Sequence, residues 1–331
     1  MTDTIRWGIL ATGKIAHTFA RDLALTPGAE LMAVGSRRPE AAQAFAEQYG
    51  AGSAHGSYEA LVADPDVDVI YVATPHAFHL DNARLAFEAG KHVLCEKPLT
   101  LNLAEAEEMV RRAGEHDRFL MEAMWTACHP VVRALAAGLR SGRFGAPRHL
   151  HAELGFRVDA PPSDRMLNPD LGAGALLDMG IYPLTFAHLM LGPAEELHGK
   201  ATLSPDGIDL DVAFTGRYAG GALATMSASM TSWSSRAAAV ATDLGRLDVP
   251  DQFHHPPYAV FTPADGSASV RIGGDEPVIG QGYGNEIAEV GRCLTAGLRE
   301  SPMVPHAQTL TLMRNMDDLR RQIGVRYAAD G

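Results

Sequence analysis

Glu96-Lys97-Pro98 closes the apolar run His92-Val93-Leu94-Cys95 and leads into a helical pattern that starts near Asn102. An acid, a lysine and a proline at a strand-to-turn junction leave the lysine projecting at the carboxyl edge of a sheet. That edge is where open α/β sheets bind ligands. A lysine held beside a bound ligand shifts its own pKa and that of a neighbour; a surface lysine in a turn is the alternative. A second group with chemical capacity lies in Gly172-Ala173-Gly174-Ala175-Leu176-Leu177-Asp178-Met179-Gly180-Ile181-Tyr182-Pro183. Asp178 and Tyr182 are four positions apart, so a helix puts them on one face. The apolar flanks predict that this face is screened from water. A carboxylate and a phenol placed there are costly unless hydrogen-bonded, and the alternative to a reactive pair is a structural one that fixes the helix.

A nucleotide motif stands at the start of the chain. Ile5–Leu10 runs into Ala11-Thr12-Gly13-Lys14-Ile15-Ala16, an A-x-G-x-x-A form of the dinucleotide fingerprint. Gly13 lets the backbone approach a pyrophosphate and Ala16 lets the helix pack closely on the sheet. The helix N-terminus then offers N–H groups and a positive dipole end. Ala11 stands where a glycine is usual, and a simple tight turn is the alternative. Roughly 20 residues past the glycines, an NAD site carries an acid for the ribose 2′-hydroxyl. Here that place holds Gly35-Ser36-Arg37-Arg38. Ser36 and Arg37 suit a 2′-phosphate, and Arg38 suits stacking on adenine or added charge, against a solvated basic turn. NADP is therefore expected, with NAD the less favoured cofactor. Thr74-Pro75-His76, with His79 one turn on, is expected beside the nicotinamide ribose, together with Glu96 and Lys97. His76 and His79 have a spacing that metal ligands use, but no third ligand is placed by the local sequence and no metal is expected.

These residues need a sheet to position them. Apolar runs at Ile5–Leu10, Leu31–Val34, Val67–Val72, His92–Cys95 and Phe119–Ala123 alternate with helical patterns, as at Glu40–Tyr49. That rhythm predicts a parallel, doubly wound sheet of the Rossmann type. After Trp125 the pattern changes. A helix over Val131–Arg140 and a strand over His149–Phe156 precede a long apolar segment, Leu171–Gly192, expected to be helical and broken near Gly180 and Pro183. Short strands follow at Glu196–Leu203, Asp209–Tyr218, Ala222–Met230, Ala237–Thr242, Gly245–Val249, Ala259–Phe261 and Val270–Ile272, several separated by glycine turns. Such runs predict a mostly antiparallel open sheet. Two helices, about Tyr283–Ala296 and Ala307–Ile323, close the chain. The expected division is a dinucleotide-binding domain over 1–124 and an α+β domain for substrate binding and oligomerisation over 125–331.

Composition narrows the class. At 331 residues the chain exceeds one comfortable core. Its 46% hydrophobic and 21% charged content is ordinary for a soluble enzyme. The net charge of −12 argues against a nucleic-acid surface. No membrane span and no secretory signal are read, the latter because Met1-Thr2-Asp3-Thr4-Ile5 runs straight into a strand. Cys95, Cys128 and Cys293 make no disulfide framework, so a cytoplasmic location is expected.

The chain resembles the Gfo/Idh/MocA oxidoreductases essentially end to end. The likeness rests on the fingerprint, Ala73-Thr74-Pro75-His76, Glu96-Lys97-Pro98, the glycine-rich Asp178 helix, and the closing Gly282-Tyr283-Gly284 and Glu300-Ser301-Pro302 segments. Within the family it is similar to the branch of the dimeric dihydrodiol dehydrogenases and NADP-dependent D-xylose dehydrogenases, as Tyr182 and Met121-Glu122-Ala123-Met124-Trp125 indicate. Ala11, Ala173 and Thr126-Ala127-Cys128-His129-Pro130 depart from that pattern, the last where the substrate pocket is shaped. The resemblance implies hydride transfer between nicotinamide C4 and a carbinol or carbonyl carbon of a sugar or cyclic vicinal diol. It makes Tyr182 the acid/base, Lys97 the cation that lowers its pKa, and Asp178 an orienting group. Trp125, Arg157 and Arg165 join Asp178 as expected substrate residues. It also implies a homodimer, with a tetramer as the alternative. A non-catalytic NADP-binding regulator and a sugar–sugar oxidoreductase with tightly held cofactor are the competing readings.

Overall fold

The structure, a computed structural model, describes residues 4–330. The N-terminal reading of Met1–Asp3 lies outside the described residues, as does Gly331. In chain order the first elements are β1 (Ile5–Leu10), α1 (Lys14–Leu23), β2 (Ala29–Gly35), α2 (Pro39–Tyr49), β3 (Ser53–His55), α3 (Tyr58–Val62), β4 (Val69–Val72), α4 (His79–Glu88), β5 (His92–Glu96), α5 (Leu103–Glu115), β6 (Leu120–Ala123) and α6 (Trp125–Cys128). Then come α7 (Pro130–Arg140), β7 (Pro147–Gly155), α8 (Ile181–Leu191), β8 (Ala194–Leu203), β9 (Asp209–Tyr218), β10 (Leu223–Ser229), β11 (Ala238–Thr242), β12 (Gly245–Val249), β13 (Ala259–Pro263), β14 (Val270–Ile272), α9 (Tyr283–Thr295) and α10 (His306–Ile323).

The chain divides into two units, one over 1–128 and 278–310, the other over 129–277 and 311–331. This differs from a division at 124/125, because α9 belongs with the nucleotide-type sheet. Asp22 of α1 accepts the backbone N–H groups of Gln281 at 2.8 Å and Tyr283 at 3.0 Å, the start of α9. Trp125 of α6 also stacks on Tyr283, with ring centroids 4.4 Å apart.

In the first unit six parallel strands lie in the order β3-β2-β1-β4-β5-β6. The order reverses between β1 and β4, and a doubly wound sheet binds its ligand at the carboxyl ends there. Every residue of β4 is buried, as expected of a strand covered on both faces. Phe19 of α1 stacks on Tyr71 of β4 at 3.6 Å and fixes the first helix on the sheet. Asn102 caps α5 by accepting the Glu105 N–H at 2.9 Å.

In the second unit eight strands lie in the order β14-β13-β12-β11-β7-β10-β9-β8. All pairs are antiparallel except β7 with β10. Ala224, Met226 and Ala228 of β10 are buried under α8, while Leu223 on the opposite face is 51% exposed. The apolar segment before α8 is a π-helical turn, Leu176–Gly180, that runs straight into α8. It is not broken at Pro183, which is carried inside the continuous helix just after the π-helical turn. The stretch Pro169–Leu191 is long and apolar enough to cross a membrane by length and composition alone, and 83% of its most apolar window is buried inside the protein, as in a core helix.

Candidate active site

A nucleotide-type group is built where β1 and β2 end. Ala11 leaves β1 with φ +86° and its N–H bonded to the Gly35 carbonyl at 2.9 Å. That left-handed geometry favours glycine and is carried here by alanine. Gly13 is the N-cap of α1 and makes no side-chain cap; Lys14 and Ile15 open the helix. A Cβ on Gly13 would meet nothing within 4 Å, so its outer side is open. Uncapped amides beside an open glycine fit a pyrophosphate. Thr12 Oγ1 donates to Ser36 Oγ at 3.5 Å, and Ser36 Oγ accepts the Arg38 N–H at 3.2 Å. Arg37 and Arg38 are exposed at the end of β2 with no carboxylate between them. Tyr58, which sequence reasoning missed, faces Arg37 and bonds to it; burial raises its phenol pKa while Arg37 opposes the rise.

Lys97 sits in a turn held by this unit's own side chains. The Lys97 N–H donates to Glu96 Oε2 at 3.2 Å, and the Leu99 N–H donates to Glu122 Oε1 at 3.0 Å. The Lys97-Pro98 peptide is cis. The Tyr71 hydroxyl donates to Glu96 Oε1. Burial, with Glu96 beside it, lifts the Tyr71 phenol well above its usual range. Burial pushes Glu122 up to about 7, against the opposing bond from Thr309 and the charge of Lys97. Glu286 of α9 is fully buried, and burial together with Glu96 raises it well above a normal carboxyl. Lys97 is thus the one half-exposed charge in a turn whose acidic partners are buried.

The other expected site residues are placed as follows within the first unit. His79 is fully buried: its Nε2 lies 2.9 Å from the Thr74 carbonyl oxygen and its Nδ1 3.1 Å from that of Pro98. It ties the Thr74 turn to the Lys97 turn. Glu96 is buried too, its carboxylate engaged as described, so it shapes the turn from within. Thr74 Oγ1 accepts from Asn82 at 3.1 Å and Pro75 starts the turn that holds His76, whose ring lies edge-on to His79 at 5.7 Å. Trp125 is buried against Tyr283. Among the described residues no cluster of three metal-ligating side chains forms.

The second unit carries the other group. Asp178 lies in the π-helical turn and Tyr182 in the first turn of α8, at 7% and 8% exposure. Arg165 Nη1 donates to Asp178 Oδ1 at 2.9 Å. Arg157 is exposed just past β7. The Tyr182 ring packs on His254 at 4.9 Å, and His254 lies 4.4 Å from His255. Burial lowers His255, and burial with His255 nearby lowers His129 to about 4, so His129 is neutral at pH 7. These histidines carry no sequence signal, because neither Thr126-Ala127-Cys128-His129-Pro130 nor Phe253-His254-His255 has a local motif. The unit therefore presents a buried acid and a buried phenol on one short segment, with an arginine from the preceding loop on the acid, a set suited to binding a hydroxylated carbon and moving its proton.

Comparison with known proteins agrees with this geometry. Residues 5–124 match the profile of the oxidoreductase family with an NAD-binding Rossmann fold, and residues 132–248 match the GFO/IDH/MocA C-terminal domain. The chain is 33% identical over 336 residues to trans-1,2-dihydrobenzene-1,2-diol dehydrogenase of Danio rerio, across 98% of this chain and 99% of that one. It is 35% identical over 364 residues to D-xylose 1-dehydrogenase (NADP(+)) of Hypocrea jecorina, across 98% and 93%. Among solved structures, a 3-ketoreductase from Actinomadura kijaniata in complex with NADP and TDP-benzene superposes with a TM-score of 0.85 at 26% identity, across 97% and 98%. An aldose-aldose oxidoreductase from Caulobacter crescentus shares the fold, with a TM-score of 0.87 at 22% identity across 96% and 97%.

Proposed function

The chain belongs to the Gfo/Idh/MocA oxidoreductases, and from that premise we propose that it is an NADP-dependent dehydrogenase of sugars or cyclic vicinal diols, with Tyr182 as acid/base and Lys97 as the cation that tunes it. The observation that carries the reading is the buried Asp178–Tyr182 segment with Arg165 on its carboxylate. Exposed Arg37 and Arg38 at the end of β2, without an acid, support NADP over NAD. The named relatives act on a dihydrodiol and on D-xylose, which sets the substrate class.

The bound nicotinamide would supply the hydride acceptor. The open amides of α1 and Gly13 would hold the pyrophosphate, and Arg37, with Ser36, the 2′-phosphate. Tyr182, as phenolate, takes the proton of the substrate hydroxyl. A free phenol has a pKa of about 10, and a neighbouring ammonium favours its ionised form. Asp178, held by Arg165, orients a substrate hydroxyl.

The test is turnover by the purified protein with NADP⁺ and NAD⁺ across aldoses, including D-xylose, and trans-dihydrodiols. NADP⁺-dependent oxidation of a member of either class is expected; no nucleotide reduction on any of them overturns the proposal. Nucleotide retained through purification, with turnover only when a second sugar is added, indicates instead a sugar–sugar oxidoreductase.

A homodimer through the open face of the large sheet belongs to the same proposal. Leu223, Thr225 and Ser227 lie on that face beside exposed His149, His151, Thr215 and Arg217. A monomer mass by light scattering at micromolar concentration would count against it. A cytoplasmic location fits three buried cysteines that form no disulfide. Recovery of the native chain in a membrane or secreted fraction would count against that.

A further inference from the structure

Asp209, at the start of β9, has 0% exposure. Its Oδ2 accepts the Leu176 N–H at 2.6 Å and its carboxylate also bonds the Ala175 N–H, the first amides of the segment that carries Asp178 and Tyr182. Its other oxygen, Oδ1, has no hydrogen-bond partner and lies against Gly174, where a Cβ would stand only 2.2 Å from it. Gly174 has φ +142°, so the glycine-rich turn is shaped around this carboxylate. From the other side the Tyr327 hydroxyl donates to the Ala173 carbonyl at 3.3 Å. Arg320 lies over the Tyr327 ring at 4.6 Å, itself bound by Asp317 at 2.6 Å and Asp330 at 2.7 Å.

We propose that Asp209 is a positioning residue for the reaction: a buried clamp, backed by Tyr327 and Arg320, that sets where the Asp178–Tyr182 segment begins and so where both side chains point. Two observations take it beyond a bland helix cap. A neutral amide would accept the same N–H at lower desolvation cost, so the buried charge is expensive unless it is used. The charge also sits at the N-terminal end of the helical segment, where it tightens the first turn. Asp178 is two positions past the clamped Leu176 amide, so slack there passes directly to the acid that Arg165 holds. Burial lifts Asp209 to about 7 against the charge of Arg320, so the clamp loosens on protonation near neutral pH. The ionisable groups that face it are Arg320 and Tyr327, with Asp178, Asp317 and Asp330 one contact further out.

The inference rests on the proposed active site and is tested beside it. Asp209→Ala is expected to lower kcat roughly 10–100-fold, the scale of a small misplacement of reacting groups, with NADPH affinity by fluorescence titration within twofold of wild type. Asp209→Asn, which keeps an acceptor oxygen but not the charge, is expected to recover only part of the kcat lost in Asp209→Ala and to make the acid limb of kcat shallower, leaving the proton that Tyr182 takes up. A lower melting temperature with unchanged kcat in Asp209→Ala overturns the inference. Should that variant fail to fold, an acid limb of unchanged steepness in Asp209→Asn overturns it equally. Tyr182→Phe runs in parallel: activity retained there overturns the acid/base assignment, while the Asp209 variants still read the placement of Asp178.

Discussion

The Arg165 guanidinium donates to Asp178 Oδ1 at 2.9 Å, joining a residue 44% exposed to one almost fully buried. The loop arginine and the helix acid thus act together, and the arginine holds the acid in place. Hydrogen bonds to charged groups contribute about 1.5–3 kcal/mol, with half-exposure pulling toward the lower figure. Arg165→Ala is therefore expected to lower kcat/KM about tenfold, with Arg157→Ala changing it less. Steady-state kinetics on one good substrate decides this, and equal kcat/KM in wild type and Arg165→Ala removes Arg165 from the site.

Tyr182→Phe is expected to keep the fold and NADP binding and to lower kcat by about 10²–10⁴. Lys97→Met should do comparable damage and move the pH–rate profile to higher pH, because the phenol regains its ordinary pKa. The double variant should be little worse than the worse single one, since groups acting as a unit are non-additive. Near wild-type kcat in Tyr182→Phe would falsify the assignment.

Cofactor choice is expected to fail selectively in Arg37→Ala. Loss of a charge-assisted bond to a 2′-phosphate costs about 1.5–3 kcal/mol, so NADP⁺ should bind roughly tenfold more weakly while NAD⁺ binding stays put. Fluorescence titration of both cofactors measures it. Equal affinities of the wild type for the two would remove the basis for NADP.

Glu122 carries a pH signature of stability. Its folded pKa is raised from 4.5 to about 7 by burial, so the native state holds its proton more tightly than the unfolded chain. Stability from this group is full below about pH 4.5 and is lost as pH rises toward 7. Gln cannot ionise, still offers an oxygen to the Leu99 N–H, and can donate to Thr309. Glu122→Gln is expected to match wild type near pH 5 and exceed it by about 1–3 kcal/mol at pH 8. Urea melts at the two pH values test the sign, and a larger deficit at pH 8 than at pH 5 contradicts it.

Ala11 holds φ +86° at a position that suits glycine. The strain of a Cβ there is about 1–2 kcal/mol, partly offset by the extra freedom glycine has when unfolded. Ala11→Gly should raise stability by about 0.5–1 kcal/mol, seen as a higher melting temperature. A lower one would mean that the Ala11 methyl packs usefully.

Much of the fold is legible in the sequence because its signals are local. The bounds of β1, β9, β12 and β14 follow from apolar runs, alternation and glycine turns, which act over a few residues. The fingerprint, the absent acid after β2 and the Glu96-Lys97-Pro98 turn belong to the same class. β3 escapes because three residues have no period. The parallel pairing of β7 with β10, the placing of α9 beside α1, the burial of His79 and Trp125, and the grips of Arg165 on Asp178 and of Asp209 on Leu176 were decided only by the tertiary structure. Each joins positions that local propensity cannot relate, as when Asp22 bonds the Gln281 amide across 259 residues of chain. Local rules reach the residue types available for the chemistry; long-range closure of the chain set which of them are buried, which are paired and which stay exposed.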